Sequence, residues 1–195
     1  ALVTTRGFRD VLELGRRDRP TMYGLTGLQR PLIARDQRWE VDERIDHRGE
    51  VLQPLEESQV RELARVLAGE DLQAIVVSLM HSYANPAHEE RIRDILRETK
   101  PAWEVVISSP VVREYYEFER TSTAVVQGYL QPLVANYSRN LVERLKRWGF
   151  ERQTLVMQSN GGVVPVHQLG ERAAYIVRSG PAAGVMAAAE LASDA

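Results

Sequence analysis

Ala74-Ile75-Val76-Val77-Ser78-Leu79-Met80, then Asn85-Pro86, then Trp103-Glu104-Val105-Val106-Ile107, is the stretch that decides the fold. The first run is continuously apolar and of strand length, the pattern of a strand covered on both faces, as in a parallel sheet. Asn85 suits a helix N-cap and Pro86 a first helical position. Ile92, Ile95 and Leu96 then give the helix one apolar side. Trp103 to Ile107 reads as a second buried strand. Strand, helix, strand is a βαβ unit, expected to be parallel with a right-handed crossover. The fold class expected from this segment is α/β.

Upstream, Val60, Leu63, Ala64 and Leu67 recur at helical spacing, and Gly69 sits where a helix ends. The first fifty residues alternate short apolar runs with Gly, Pro and Arg and read as irregular α/β, opening inside a strand. Downstream, the longest element is expected from about Thr121 to Trp148, with Gly149 ending it. Its stripe reads Val126, Leu130, Leu133 or Val134, Tyr137, Leu141 and Leu145. Pro132 removes the amide that would bond the carbonyl of Gly128, so a kink is expected there, with Gly128 easing the clash of the ring. Leu155 to Gln158 reads as another strand, and an alanine-rich helix follows Ser179-Gly180-Pro181. There is no repeat, no low-complexity linker and no clear boundary. The first residue is not Met, and the last helical pattern is unfinished, so both ends are expected to be cuts.

The 195 residues suit one domain, or one and a half. A formal charge of −2 gives no electrostatic reason to expect nucleic acid or an anionic membrane as partner. The absence of cysteine excludes disulfides, thiolate catalysis and zinc-thiolate sites, and fits a reducing cytoplasm. No signal peptide and no apolar run near the ~20 residues of a bilayer span is present. The expected location is cytoplasmic.

Several stretches could carry chemistry. Asn160-Gly161 between apolar runs signals a hairpin, and equally a glycine loop whose amides approach a ligand. Ser179-Gly180-Pro181 opens a helix whose N-terminus could attract an anion, and Ala182, Ala183 and Gly184 suit tight helix packing. His81, His88 and Glu89 suggest a metal, but their spacing matches no zinc motif, which favours capping or packing. Glu117 and Glu119, with Arg113 and Arg120, could orient a ligand or a base. They could equally be a charged helix entrance capped by Thr121 or Ser122. No Walker loop, GxGxxG or Ser-His-Asp signature occurs.

In order along the chain stand Thr4-Thr5-Arg6-Gly7-Phe8-Arg9-Asp10, Glu43-Arg44, His81-Ser82-Tyr83 with His88-Glu89, and Glu117-Phe118-Glu119-Arg120-Thr121-Ser122-Thr123. Met157-Gln158-Ser159-Asn160-Gly161-Gly162 and Ser179-Gly180-Pro181-Ala182-Ala183-Gly184 complete the series. This collinear set resembles the hydantoinase A / 5-oxoprolinase family over nearly the whole chain. The resemblance implies part of an actin-like ATPase (ribonuclease H-like) domain, with parallel βαβ units and one long kinked helix. It implies that residues 1–150 form the C-terminal part of that family's N-terminal region, and 151–195 the start of its core domain.

What the resemblance implies about function is ATP-dependent activation and opening of cyclic amides such as 5-oxoproline or hydantoins, an unstrained lactam being a poor electrophile. An acetone-carboxylase-type subunit and a non-catalytic scaffold of the same fold are the rivals. By resemblance, Glu117, Glu119 and Arg120 are the candidate catalytic residues, and Thr5 and Arg6 those for substrate. Asn160, Gly161, Gly162, Ser179 and Gly180 are those for the nucleotide. No metal ligand is assigned. ATP and Mg are the implied cofactors, and a hydantoinase B-type subunit or domain is the implied partner. The family's two Asp-x-Gly-Gly-Thr phosphate loops are both missing from these residues.

Overall fold

The computed structural model of the chain describes residues 1–16, 23–24 and 30–193. Part of the irregular N-terminal stretch, residues 17–22 and 25–29, lies outside the described residues. The chain forms two compact units, Ala1–Gly128 and Tyr129–Ala195.

The first unit is built on four parallel strands: β1 (Leu2–Thr5), β2 (Arg38–Val41), β5 (Ala74–Ser78) and β6 (Glu104–Ile107), in the order β2-β1-β5-β6. Between them lie helix α1 (Val11–Leu14), the antiparallel pair β3 (Arg44–Ile45) and β4 (Val51–Gln53), helix α2 (Glu57–Ala68) and helix α3 (Ala87–Thr99). The βαβ unit is β5-α3-β6, with Ile75 beside Val105 and Val77 beside Ile107.

Side chains of a strand alternate between the faces of its sheet, and here both faces are dry. Val3, Val41, Ile75, Val77, Val105 and Ile107 pack on one side with Val60, Leu63, Ala64 and Leu67 of α2 and Ile92, Ile95 and Leu96 of α3. Leu2, Val76 and Val106 pack on the other side with Leu12, Val111, Ala124 and Val125. The helical spacing in α2 therefore identifies its buried face. Helix α3 begins at Ala87, so Pro86 takes the N-cap position expected of Asn85; Asn85 Oδ1 still accepts from the amide of Ala87 at 3.1 Å, just ahead of the helix.

After the short helix α4 (Ser108–Val111), helix α5 runs unbroken from Glu117 to Arg147 with Pro132 inside it. It starts four residues before the expected Thr121, so Thr121 and Ser122 lie within the helix and do not cap it. The Thr121 hydroxyl instead meets that of Ser78 at 2.8 Å. Of the expected stripe, Val126, Leu130, Val134, Leu141 and Leu145 are partly covered and Tyr137 is exposed, while the fully buried positions near the start are Arg120, Thr121, Ala124, Val125, Gln127 and Gly128. The reason is proximity to the sheet: a Cβ on Gly128 would stand 2.5 Å from Cγ2 of Val76.

In the second unit α5 stops at Arg147, one residue short of the expected Trp148, and Gly149, with φ +80°, terminates it as expected. Its amide bonds the carbonyl of Lys146, and that of Phe150 the carbonyl of Leu145, a Schellman termination. Strands β7 (Leu155–Met157) and β8 (Val163–Pro165) form an antiparallel hairpin, and helix α6 spans Ser179–Ser193. Helix α6 starts at Ser179, so Pro181 lies in its first turn and is not its first residue. No residue of α6 is buried, and added Cβ atoms on Gly180 or Gly184 would meet nothing within 4 Å. The tight packing expected from its small residues is absent among the described residues.

Candidate functional site at the sheet's C-terminal edge

In a parallel sheet every strand delivers its last residue to the same edge, where open α/β sheets place ligands. Here that edge receives Thr5 from β1, residues 79–83 after β5, and Ser108 and Ser109 after β6. Two carboxylates hold these segments together.

Glu43 is 2% exposed and faces both ways. Its Oε1 accepts from the Thr5 hydroxyl, and its Oε2 lies 2.7 Å from Nδ1 of His88 on α3. Thr5 Oγ1 in turn accepts from the amide of Met80 at 2.9 Å. Glu89, fully buried, accepts through Oε1 from the amide of Leu79 at 3.0 Å and the hydroxyl of Ser108 at 2.6 Å. Its Oε2 accepts from the amide of Ser109 at 2.9 Å. The chain ends of β5 and β6 are thus tied to the first turn of α3. Sequence reasoning did not select Glu43 or Glu89 as site residues. A signal for Glu89 existed: it stands three residues before Ile92 and seven before Leu96, on the apolar face of α3.

Arg120 of α5 is 1% exposed. Its Nη2 donates to the Leu79 carbonyl at 2.6 Å and its Nη1 to the Glu114 carbonyl at 3.2 Å, while Nε has no partner. The guanidinium lies 5.6 Å from the Tyr83 ring centroid. Burial lowers its pKa, and the charges of Glu89 and Glu117 oppose that shift. Thr5 and Arg120 therefore converge on the adjacent residues Met80 and Leu79.

The other first-unit candidates lie further out. Arg6 forms an exposed ion pair with Asp42, whose carboxyl this hydrogen bond holds below its usual range. Glu119 pairs with Arg16, and Glu117 opens the first turn of α5. His81, three residues after β5, has its backbone in the left-handed region at φ +55°.

In the second unit the loop after β7 is a hairpin in which Gly161 alone takes positive φ, +83°. The amide of Gln158 bonds the carbonyl of Gly162 at 2.7 Å, and that of Gly161 the carbonyl of Gln158 at 3.1 Å. The Gly162 amide is taken by Asn160 Oδ1 at 2.9 Å. Ser159 bonds the Tyr175 carbonyl through both its amide and its hydroxyl, which fastens the loop to the residues leading into Ser179 and Gly180. The amides of Ser159, Gly161 and Gly162 are thus spent inside the protein. Among the described residues no three His, Asp or Glu side chains converge to hold a metal ion. No helix of the described residues is long and apolar enough to cross a membrane.

Two family models cover most of the chain. The family model described as the hydantoinase/oxoprolinase N-terminal region matches residues 1–100, and that described as hydantoinase/oxoprolinase matches residues 120–195. The chain is 36% identical to the acetophenone carboxylase gamma subunit of Aromatoleum aromaticum, over 98% of this chain and 28% of that one. It is 31% identical to the caprolactamase subunit alpha of Pseudomonas jessenii, over 95% of this chain and 27% of that one. A solved nucleotide-free acetone carboxylase superposes with a TM-score of 0.85 at 30% identity, covering 98% of this chain and 28% of that one. The ATP-dependent caprolactamase structure from Pseudomonas jessenii gives 0.82 at 29%, covering 93% and 27%. The chain spans less than a third of the length of the curated relatives it matches.

Proposed function

The chain belongs to the hydantoinase/oxoprolinase family, and on that footing we propose that it is a segment of an ATP-dependent enzyme that opens cyclic amides such as 5-oxoproline or hydantoins. The observation that carries this reading is the polar, buried junction at the sheet's C-terminal edge, in a chain similar to a caprolactamase described as ATP-dependent. Thr5 and Arg6 are assigned to the substrate side, and Glu117, Glu119 and Arg120 to the reacting centre. Asn160, Gly161, Gly162, Ser179 and Gly180 are assigned to the nucleotide side. The proposed partner is a hydantoinase B-type subunit or domain, and the proposed location the cytoplasm. Relatives named as gamma and alpha subunits support a multi-subunit assembly.

The likeness to acetone carboxylase supports a second reading, carboxylation of a ketone. One assay separates the two. The complete enzyme, given ATP with a lactam or with a ketone and bicarbonate, is expected to release ADP in step with ring opening. Carboxylate formation instead would support the second reading, and neither product would leave a scaffold.

Two outcomes follow from the assignment. In the complete enzyme, Glu119→Gln is expected to lower turnover about a hundredfold, the lower end of what a positioned acid or base supplies. Its melting temperature should barely move, because a partly exposed ion pair such as that with Arg16 is worth about 0–1 kcal/mol. Parallel loss of stability and turnover would make Glu119 a helix-entrance residue only.

The 195-residue chain alone is expected not to bind Mg-ATP at micromolar concentration. Helix-end contacts contribute about 0.3–1 kcal/mol each when exposed, whereas micromolar binding needs about 8 kcal/mol. The loop amides that could add to them are already bonded. Calorimetric titration measures this directly, and micromolar affinity would contradict it.

A further inference from the structure

We propose that His81 is a proton-accepting residue of this site, its imidazole presented to the ligand by the left-handed backbone at the end of β5. The inference rests on the cyclic-amide reading above and adds to it a residue and a role.

The backbone is the first observation. A side chain with φ near +55° is strained for any L-residue, and glycine or asparagine would occupy the turn at less cost. Strain of this kind persists where surrounding structure imposes it, and it concentrates at working sites. Here the turn is closed by the His81 carbonyl, which accepts from the amides of Ala84 at 2.9 Å and Asn85 at 3.3 Å. Those bonds use the backbone and do not call for an imidazole.

The ring is the second observation. It is half-buried and meets the Tyr83 ring edge-on at 5.8 Å between centroids. Nδ1 lies 3.3 Å from the Tyr83 hydroxyl, and Nε2 has no partner among the described residues. The charges facing the ring are Glu117 and Arg120 of α5 and Asp46 and His47 of the β3-β4 turn. Burial is the largest influence and lowers the pKa, with Glu117 opposing it. The ring is therefore neutral at neutral pH. With Nδ1–H donated to the Tyr83 oxygen, Nε2 keeps its lone pair for the ligand. The step is a single proton transfer: an O–H bond of the attacking water breaks, its proton goes to Nε2, and the electron pair stays on oxygen as the nucleophile.

The test compares the complete unsubstituted enzyme with His81→Asn and His81→Gly, both of which tolerate the left-handed backbone. Lactam opening is expected to fall by about a hundredfold, with melting temperatures unchanged or raised. The acid limb of the pH-rate profile, set by His81 losing its lone pair as pH falls, should vanish in both variants. Nitrogen NMR of the imidazole in the unsubstituted chain should show the neutral ring protonated at Nδ1 near neutral pH. Unchanged turnover and an unchanged acid limb in the variants overturn the inference, as does a ring protonated at Nε2. Stability lost in proportion to activity overturns it too, marking His81 as a packing residue. If the unsubstituted enzyme opens no lactam, the cyclic-amide reading falls and the role of His81 falls with it. If it does and the variants match it, His81 alone is refuted.

Discussion

Glu89→Leu is expected to destabilise the first unit by about 3 kcal/mol or more. The carboxylate accepts three hydrogen bonds in full burial, from the amides of Leu79 and Ser109 and the hydroxyl of Ser108. Leucine fills a similar volume but accepts nothing. Each stranded buried donor costs about 1–3 kcal/mol, and Ser108 alone can turn its hydroxyl toward Ser82, 3.2 Å away. Against a total stability of about 5–15 kcal/mol such a loss is large. Glu89→Gln should fall between the two. Its oxygen can serve Leu79 and Ser108, but its amide then faces the Ser109 amide, donor to donor. Urea unfolding of the three proteins should rank them wild type, Gln, Leu. Equal stability of Leu and wild type would show that water or backbone movement satisfies these groups.

The second large effect runs against helix propensity. Glycine within a helix normally costs about 1 kcal/mol relative to alanine, so Gly128→Ala should stabilise α5 on that ground alone. Here the new Cβ would stand 2.5 Å from Cγ2 of Val76, a β-branched side chain fixed in the central strand. Overpacking of this kind costs about 1–3 kcal/mol, enough to reverse the sign. Gly128→Ala is therefore expected to lower the melting temperature. Val76→Ala, which opens the space, should be tolerated better when combined with Gly128→Ala than when made alone. A favourable coupling of about 1 kcal/mol in the double-mutant cycle is the measurement. Additive effects would mean that the helix shifts freely away from the sheet.

The same glycine shows where sequence reading stops. Neighbours along the chain assign Gly128 to relief of the Pro132 ring, an interaction within one helix, because only such neighbours are visible in a sequence. Its contact with Val76 joins distant segments and exists only once α5 lies on the sheet. Likewise spacing alone draws a stripe along α5, but it cannot tell which part of a long helix meets a covering layer.

The site divides in the same way. Arg120 and Thr5 stand in recognisable motifs, yet their convergence on Leu79 and Met80 is a matter of strand order. The β2-β1-β5-β6 order puts the ends of β1 and β5 side by side. Glu43 and His88 lie 45 positions apart and meet because α3 returns over the sheet. The glycine loop is legible as a turn, but only the folded chain shows its amides spent on Gln158, Asn160 and Tyr175.

The sequence by itself determined what depends on neighbours a few residues apart. That covers the apolar runs of β5 and β6, the amphipathic face of α2, the start of α3 just after Asn85-Pro86, the Gly149 termination and the family motifs. Local periodicity and turn chemistry encode all of these directly. Tertiary structure alone decided which glycine is compressed, which carboxylates are buried and bonded, and which histidine is strained. Those properties come from packing between segments far apart in the chain, where burial removes water and makes an unmet donor or an extra methyl costly.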